Sequence, residues 1–459
     1  MEQAVSAARE HNPRLNAARH AAQSADYSAR SLRAAPPIGL EVEPQIERDT
    51  PGPSASRFDL DVILFRPLDL AGRRRWSARA LGYSSEAAAA DQDETELQVI
   101  AEVQAAFLDL LARQTRLQVL DENLELVREL RRFAAERVAQ GTAPQLDLLK
   151  FDVEVARAEE QRLAGAGALR VARSQLARAI GSDSAEMPVA DGDLLRWRLQ
   201  LDVAGLADRA LATRPARRAM LARLGAAEAA IQVAASRARP DAAATVRREF
   251  GETSLGLAFS LPLLGGGEIG NDIKARRQDT EATSAQLRQV ELQILGAVEQ
   301  GLAEFQTIEQ RLDRLDAIVA SVRELSDKAQ VGYQEGAFGR LEVLEAQRTL
   351  RDVLLDELDA RAALAQAAVR LNAAVGLPSL DQLFVAVDPV TDCVFVSVDT
   401  RSPIKEHSDA HHAASHPASH AAGSSCLCAV GLCRTGDIPD NGSHSAVSAC
   451  HCAEHHSGA

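Results

Sequence analysis

All six cysteines of this 459-residue chain lie at Cys393 or later, and nine of its eleven histidines at His407 or later. His407, His411, His412, His416 and His420 fall mostly four residues apart. Cys426, Cys428 and Cys433 follow, and Cys450, His451, Cys452, His455 and His456 close the run. Imidazole and thiolate together suit Zn, Cu, Co or Cd. The signal is compositional, because the spacing matches no folded zinc module. Three readings stay open: a metal-binding tail, a tail whose thiols pair as disulfides in an oxidising compartment, and an extension without function. A second group carries carboxylates. Glu342 and Glu345 are three residues apart and share a helix face. Elsewhere the body shows no nucleophile with a base and no phosphate-binding glycine loop, and His11 and His20 stand alone on the first helix. Catalysis is not expected.

The elements that hold these carboxylates occur twice. Leu-Ala-Arg-Ala-Ile-Gly ending at Gly181 answers Leu-Asn-Ala-Ala-Val-Gly ending at Gly376, an offset of 376 − 181 = 195. The same offset pairs Pro67 with Pro262, Gly72 with Gly267, Gly141 with Gly336, Leu146 with Leu341 and Leu149 with Leu344. It places Asp147 opposite Glu342 and Lys150 opposite Glu345, so one carboxylate of the pair is a lysine in the first copy.

Within each copy the hydrophobic period changes. Residues 3–35 read as one helix, stopped by Pro36-Pro37. Ile38, Leu40 and Val42 alternate with Gly39, Glu41 and Glu43, and Phe58, Leu60, Val62 and Leu64 alternate with Asp59 and Asp61, which predicts a β-hairpin over 38–66 around Pro51-Gly52-Pro53. A matching hairpin is predicted over 241–263. Such hairpins suit a barrel wall with lipid outside and water within, or an exposed hairpin with one buried face. After Gly72, Ile100, Val103, Phe107, Leu110, Leu117, Leu124 and Val127 follow coiled-coil spacing, with Gln114 and Asp121 as polar interruptions. Long helical hairpins are therefore expected over 73–181 and 268–376, each long arm roughly 100 Å at 1.5 Å per residue. Three segments result: 1–200, 201–378, and an extension over 379–459 that reads as disordered from about 401.

Composition narrows the function. A formal charge of −14 and 3% aromatic residues fit long packed helices and disfavour a nucleic-acid partner. No apolar run reaches the roughly 20 residues of a membrane-spanning helix, which leaves a membrane barrel open. Met1 to Val5 lack the basic start and apolar stretch of an export signal. Either the chain stays inside, or a leader is missing from this sequence. Four strands cannot close a barrel, so oligomerisation is expected, and three copies would supply twelve strands.

The residues that carry a family resemblance are Glu10-His11-Asn12-Pro13-Arg14-Leu15, the junction Arg66-Pro67-Leu68-Asp69-Leu70-Ala71-Gly72-Arg73-Arg74, the second junction Leu261-Pro262-Leu263 to Gly267-Glu268-Ile269, and both helix tips. Over about residues 3–378 the chain resembles the outer-membrane efflux proteins, the TolC-type channels, and within them the heavy-metal CzcC-like branch. The resemblance implies a mostly α fold with a small β portion. It also implies a homotrimer with a twelve-stranded outer-membrane β-barrel continued by a coiled-coil α-barrel through the periplasm. Its partners would be outer-membrane lipid, a periplasmic adaptor and, through the adaptor, an inner-membrane RND pump. No cofactor is required.

The family tip motif appears here as Tyr333, Gly336 and Leu341 to Ala346. In a trimer Glu342 and Glu345 would form carboxylate rings that favour cations. Phe338 stands where an Arg helps lock related channels, so the resemblance leaves a closed gate to other contacts: Lys150 with Glu342 or Glu345 of a neighbour, and Tyr333 donating to Asp147. Gly141, Thr142, Gly336, Ala337 and Phe338 are the adaptor-docking candidates, although glycine also simply ends helices well. The expected function is a passive exit duct for heavy-metal cations. The alternatives are a multidrug or type I secretion channel and, in another class, a cytoplasmic coiled-coil scaffold.

Overall fold

The computed structural model describes residues 1–47, 57–182, 189–192, 194, 196–200, 203–249, 252–260 and 267–387. All the tail ligands proposed above, His407 to His456, lie outside the described residues, as do Pro51-Gly52-Pro53 and Leu261 to Leu263.

The chain runs α1 (Glu2–His11), α2 (Pro13–Arg33), β1 (Gly39–Glu47), β2 (Arg57–Leu68), α3 (Arg73–Ala139), α4 (Gln145–Ile180) and β3 (Arg196–Leu199). Then come α5 (Leu206–Thr213), α6 (Pro215–Ser236), β4 (Asp241–Glu249), β5 (Glu252–Ser260), α7 (Glu268–Gln334), α8 (Arg340–Val375) and β6 (Phe384–Val387). Helices α3 and α7 each have 67 residues and α4 and α8 each have 36, with all four boundaries related by 195. The upstream elements follow a different offset: Pro13 answers Pro215 and Gly39 answers Asp241, so 215 − 13 = 202. The seven extra positions lie in the hairpin turns, where nine residues separate β1 from β2 and two separate β4 from β5.

The expected single helix over 3–35 is two helices. Asn12 is extended (φ −66°, ψ 121°) because the ring of Pro13 excludes the helical region for the residue before it. Asn12 then caps α2, accepting from the Arg14 N–H at 2.9 Å, and donates to the Ala179 carbonyl at 2.7 Å. Arg214 before Pro215 breaks the second copy alike and reaches the Ala374 carbonyl at 3.1 Å. Each kink rests on the glycine that ends a helical hairpin. Gly181 (φ +81°) has Asn12 Cα 2.8 Å from where a Cβ would stand, and Gly376 (φ +88°) has Arg214 Cα at 3.2 Å.

The two β-hairpins join as one antiparallel sheet in the order β1-β2-β4-β5. One register row reads Leu40, Leu64, Val246, Leu255, all exposed on one face. The opposite face carries Glu41, Ile63, Arg247 and Ser254 in one row, with Glu43 facing Asp61 in the next. Asp61 is buried there with Arg247 at 3.5 Å. Apolar outside and charged inside is the pattern expected of a barrel wall. Among the described residues both outer strands, β1 and β5, have an unpaired edge.

Along the long helices Ile100, Val103, Leu110, Leu124 and Val127 are buried as the seam requires, and Asp121 is neutralised by Arg162. The largest core lies at the middle of α3 and α7, where β3 pairs with β6. Phe384 packs on Phe305 with ring centroids 5.0 Å apart, and Leu380, Leu383 and Phe384 are buried. A boundary at 378 is therefore too early. Residues 379–387 belong to the body, because Leu380, Leu383 and Phe384 fill this core and strand β6 pairs with β3.

Beside that small sheet Arg196 binds Asp313 and, at 2.9 Å, Asp316. Glu309 stands next to them with its carboxyl pushed up, first by burial and then by Asp313, against the pull of Arg196 and Arg198. A carboxyl that protonates more readily folded than unfolded subtracts stability when ionised, and the cost disappears as pH falls below its unfolded value. Glu309→Gln should therefore raise the melting temperature of the detergent-solubilised protein at pH 7.5 by a few degrees. The gain over the parent should close by about pH 4, the unfolded value for Glu.

Candidate functional site at the helical tips

The sequence candidates other than the tail converge at the far end of the two helical hairpins. Gly141 (φ +71°) and Gly336 (φ +78°) end α3 and α7 in the left-handed region. The Thr142 N–H bonds back to the Arg137 carbonyl at 2.9 Å, and the Ala337 N–H to the Gly332 carbonyl at 2.8 Å. Both are six-to-one helix closures that favour glycine at the turn. A Cβ at Gly141 or Gly336 would meet nothing within 4 Å, so both turns present open backbone. Phe338 folds back over Gly332, where a Cβ would strike its ring, and its outer side remains exposed.

Behind the turns one aromatic cluster ties the hairpins together. The buried Tyr333 ring of α7 meets Phe133 of α3 edge-on at 5.6 Å and Phe151 of α4 at 6.3 Å. Leu130, Ala134, Val343 and Leu344 complete it. The Arg137 guanidinium lies 5.6 Å from the Tyr333 ring centre. Burial pushes the Tyr333 hydroxyl up from its ordinary value, and Arg137 pulls it partly back.

The expected Tyr333 to Asp147 bond does not form within the protomer. Asp147, in the first turn of α4, pairs instead with Arg340, the first residue of α8, and both are largely buried. The physical reason is competition. An arginine at a helix N-terminus opposes the positive end of that helix, and a neighbouring carboxylate offsets this, while the tyrosine ring gains more by burial among Phe133 and Phe151. Deeper in, Glu154 is buried between Arg157 at 3.1 Å and Arg348 of α8. Near the tip these charge clasps bridge the hairpins, and farther up Arg116 of α3 adds another to Asp359 of α8 at 2.8 Å.

Arg340 was not among the sequence candidates. The available signal was a broken repeat, since 340 − 195 = 145 is a glutamine. Lys150, Glu342 and Glu345 are exposed, and none has an ion-pair partner among the described residues. Leu146, Leu149, Val153 and Leu341 are each more than half exposed beside them.

This architecture has a family. The model of the outer membrane efflux proteins matches residues 4–182 and 206–377, and the chain belongs to that family. It is a transport duct of the outer membrane and not an enzyme. Among characterised relatives, the cobalt-zinc-cadmium resistance protein CzcC of Cupriavidus metallidurans is 25% identical over 82% of this chain and 90% of its own length. The pyoverdine export outer membrane protein OpmQ of Pseudomonas putida is 24% identical, over 72% of this chain and 73% of its own. The fold is shared with the crystal structure of CusC, at a TM-score of 0.72 and 19% identity over 82% of this chain and 92% of that one.

Removing the Arg340 clasp should loosen the tip. Arg340→Ala and Asp147→Asn should each raise single-channel conductance of the purified protein in planar bilayers. The double variant should match either single, because both remove one interaction worth about 1 kcal/mol.

Proposed function

We propose that the protein is the exit duct of a tripartite efflux system for heavy-metal cations. Three protomers close it, β5 of one pairing with β1 of the next, to give a twelve-stranded barrel above a tunnel of helices. The observation that carries the duct is the four-stranded sheet with apolar outer rows, charged inner rows and two open edges, set on helices of 67 residues. The alignment with CzcC over 90% of that protein supports the cargo.

In this assembly the tips face a periplasmic adaptor, which connects the duct to an RND pump in the inner membrane. Open backbone at Gly141 and Gly336, with Thr142, Ala337 and Phe338 beside them, offers the close approach such docking needs. Glu342 and Glu345 repeat around the axis as carboxylate rings that concentrate cations. Lys150 can reach Glu342 or Glu345 of a neighbouring protomer as a second lock, and a Lys150→Ala channel recorded as above reports whether that link contributes. The His/Cys tail, from His407 to His456, holds transition metal near the duct.

The similarity to OpmQ favours a second cargo, a secreted siderophore. Deleting the chain from its host separates the two. The metal reading expects several-fold lower tolerance to zinc, cobalt or cadmium with siderophore export unchanged, restored by the full chain. A chain ending at Val387 should restore tolerance at least in part but carry less zinc by elemental analysis. Lost siderophore export with unchanged metal tolerance would overturn the cargo.

A further inference from the structure

Ion pairs of arginine with carboxylate line the helices at Arg128, Arg131, Arg162, Arg217, Arg218 and Arg223, among others. The junction between sheet and helices is different. Arg33, Arg66, Arg75, Arg79 and Arg239 are all exposed there, and none has a carboxylate partner among the described residues. Asp69, the acidic residue within 66–79, is spent on the start of α3, where its two oxygens accept from the Arg74 and Arg75 N–H groups at 2.9 and 3.0 Å. In a chain of formal charge −14 this is a local reversal of sign.

Its position relative to the bilayer follows from the sheet. Leu64, Arg66 and Leu68 share the outer face, with Arg66 level with Ala244 near the end of the strands that leads into α3, so the start of α3 follows directly on the lipid-facing row. Beyond it, α3 sets Arg75, half-buried Trp76 and Arg79 around one open recess, with Arg79 held 5.4 Å from the indole ring centre. An indole with guanidinium groups at this level matches the headgroup zone, where an amphipathic ring meets phosphate. The fold does not demand it. At the offset of 195 the second copy has Glu268, Ile269, Gly270 and Asn271 in place of Arg73, Arg74, Arg75 and Trp76, yet α7 begins at the same point as α3.

We propose that Arg75, Trp76 and Arg79 form a binding site for the phosphate headgroup of an anionic phospholipid in the periplasmic leaflet of the outer membrane, one per protomer. The inference rests on the duct reading, which fixes this junction at the membrane surface. Each arginine supplies a charge-assisted donor to phosphate, and Trp76 closes the recess against the glycerol backbone. The sign of the site excludes a free cation as its ligand.

The test uses the full-length protein in nanodiscs of phosphatidylethanolamine with phosphatidylglycerol or with phosphatidylcholine as the minor lipid. Lipid retained after delipidation is counted by mass spectrometry, and conductance is recorded on the same preparations. Phosphatidylglycerol should be retained well above phosphatidylcholine. The Arg75→Gln/Arg79→Gln variant should lose at least about tenfold of that preference, from roughly fivefold per arginine near a charged surface. Arg314→Gln, an exposed arginine far down α7, should lose none. Equal retention of the two lipids by a conducting protein overturns the site and leaves the duct standing. So does an equal thermal shift from millimolar inorganic phosphate alone, which marks a bare anion site, or an equal loss in the Arg314→Gln control. A protein without conductance overturns the duct reading, and the lipid site with it.

Discussion

An open sheet edge is the constraint from which the rest of this structure follows. Strands β1 and β5 each end the four-stranded sheet with a row of backbone donors and acceptors that have no partner among the described residues of the protomer, and unsatisfied backbone is costly, above all in lipid. Charged residues such as Glu41 and Glu43 face one side of the sheet and Leu40 and Leu255 the other. The sheet therefore suits a wall with water on one side and lipid on the other, provided neighbours supply the missing hydrogen bonds. Closing the sheet fixes the spacing of the helices beneath it, and long coiled-coil arms carry that spacing to the tips.

The duplicated design then assigns different tasks to equivalent positions. Both copies share their helix lengths, their left-handed closing glycines and the kink that docks on them, which together set the geometry. Some of the differences between the copies change charge. Arg340 against Gln145 makes a clasp between hairpins at the tip, Lys150 against Glu345 changes the sign of an exposed position, and Arg75-Trp76 against Gly270-Asn271 makes a basic collar below the sheet. Symmetry builds the tube, and broken symmetry places its chemistry.

Much of this was legible in the residues. Helix boundaries marked by glycine and proline repeat at 195 to the residue, because those two residue types act through the backbone and leave a local signature. The alternating strands could be read for the same reason. The change of offset to 202 was hidden, since it arises in a turn where length rather than side-chain pattern differs. The break at Asn12 follows from the residue after it, but a helical period continuing on both sides masked it. The apolar, strand-like run from Leu383 that contains β6 was legible locally, but its pairing was not, because its partner β3 lies in the other half of the chain and no local pattern announces so distant a contact. At the tip, the carboxylates were visible as residue types, whereas which cation they meet depends on how two hairpins pack, and that placed Arg340 rather than Tyr333 beside Asp147.

The central claim is that copies of the chain satisfy the edges of β1 and β5. Hydrogen exchange of the reconstituted protein, resolved to peptides covering Gly39–Glu47 and Glu252–Ser260, addresses it directly. The outward-facing amides of both strands should be protected as strongly as those of β2 and β4. Fast exchange confined to β1 and β5, in protein that is otherwise folded, would mean that the edges stay open and that no closed barrel exists.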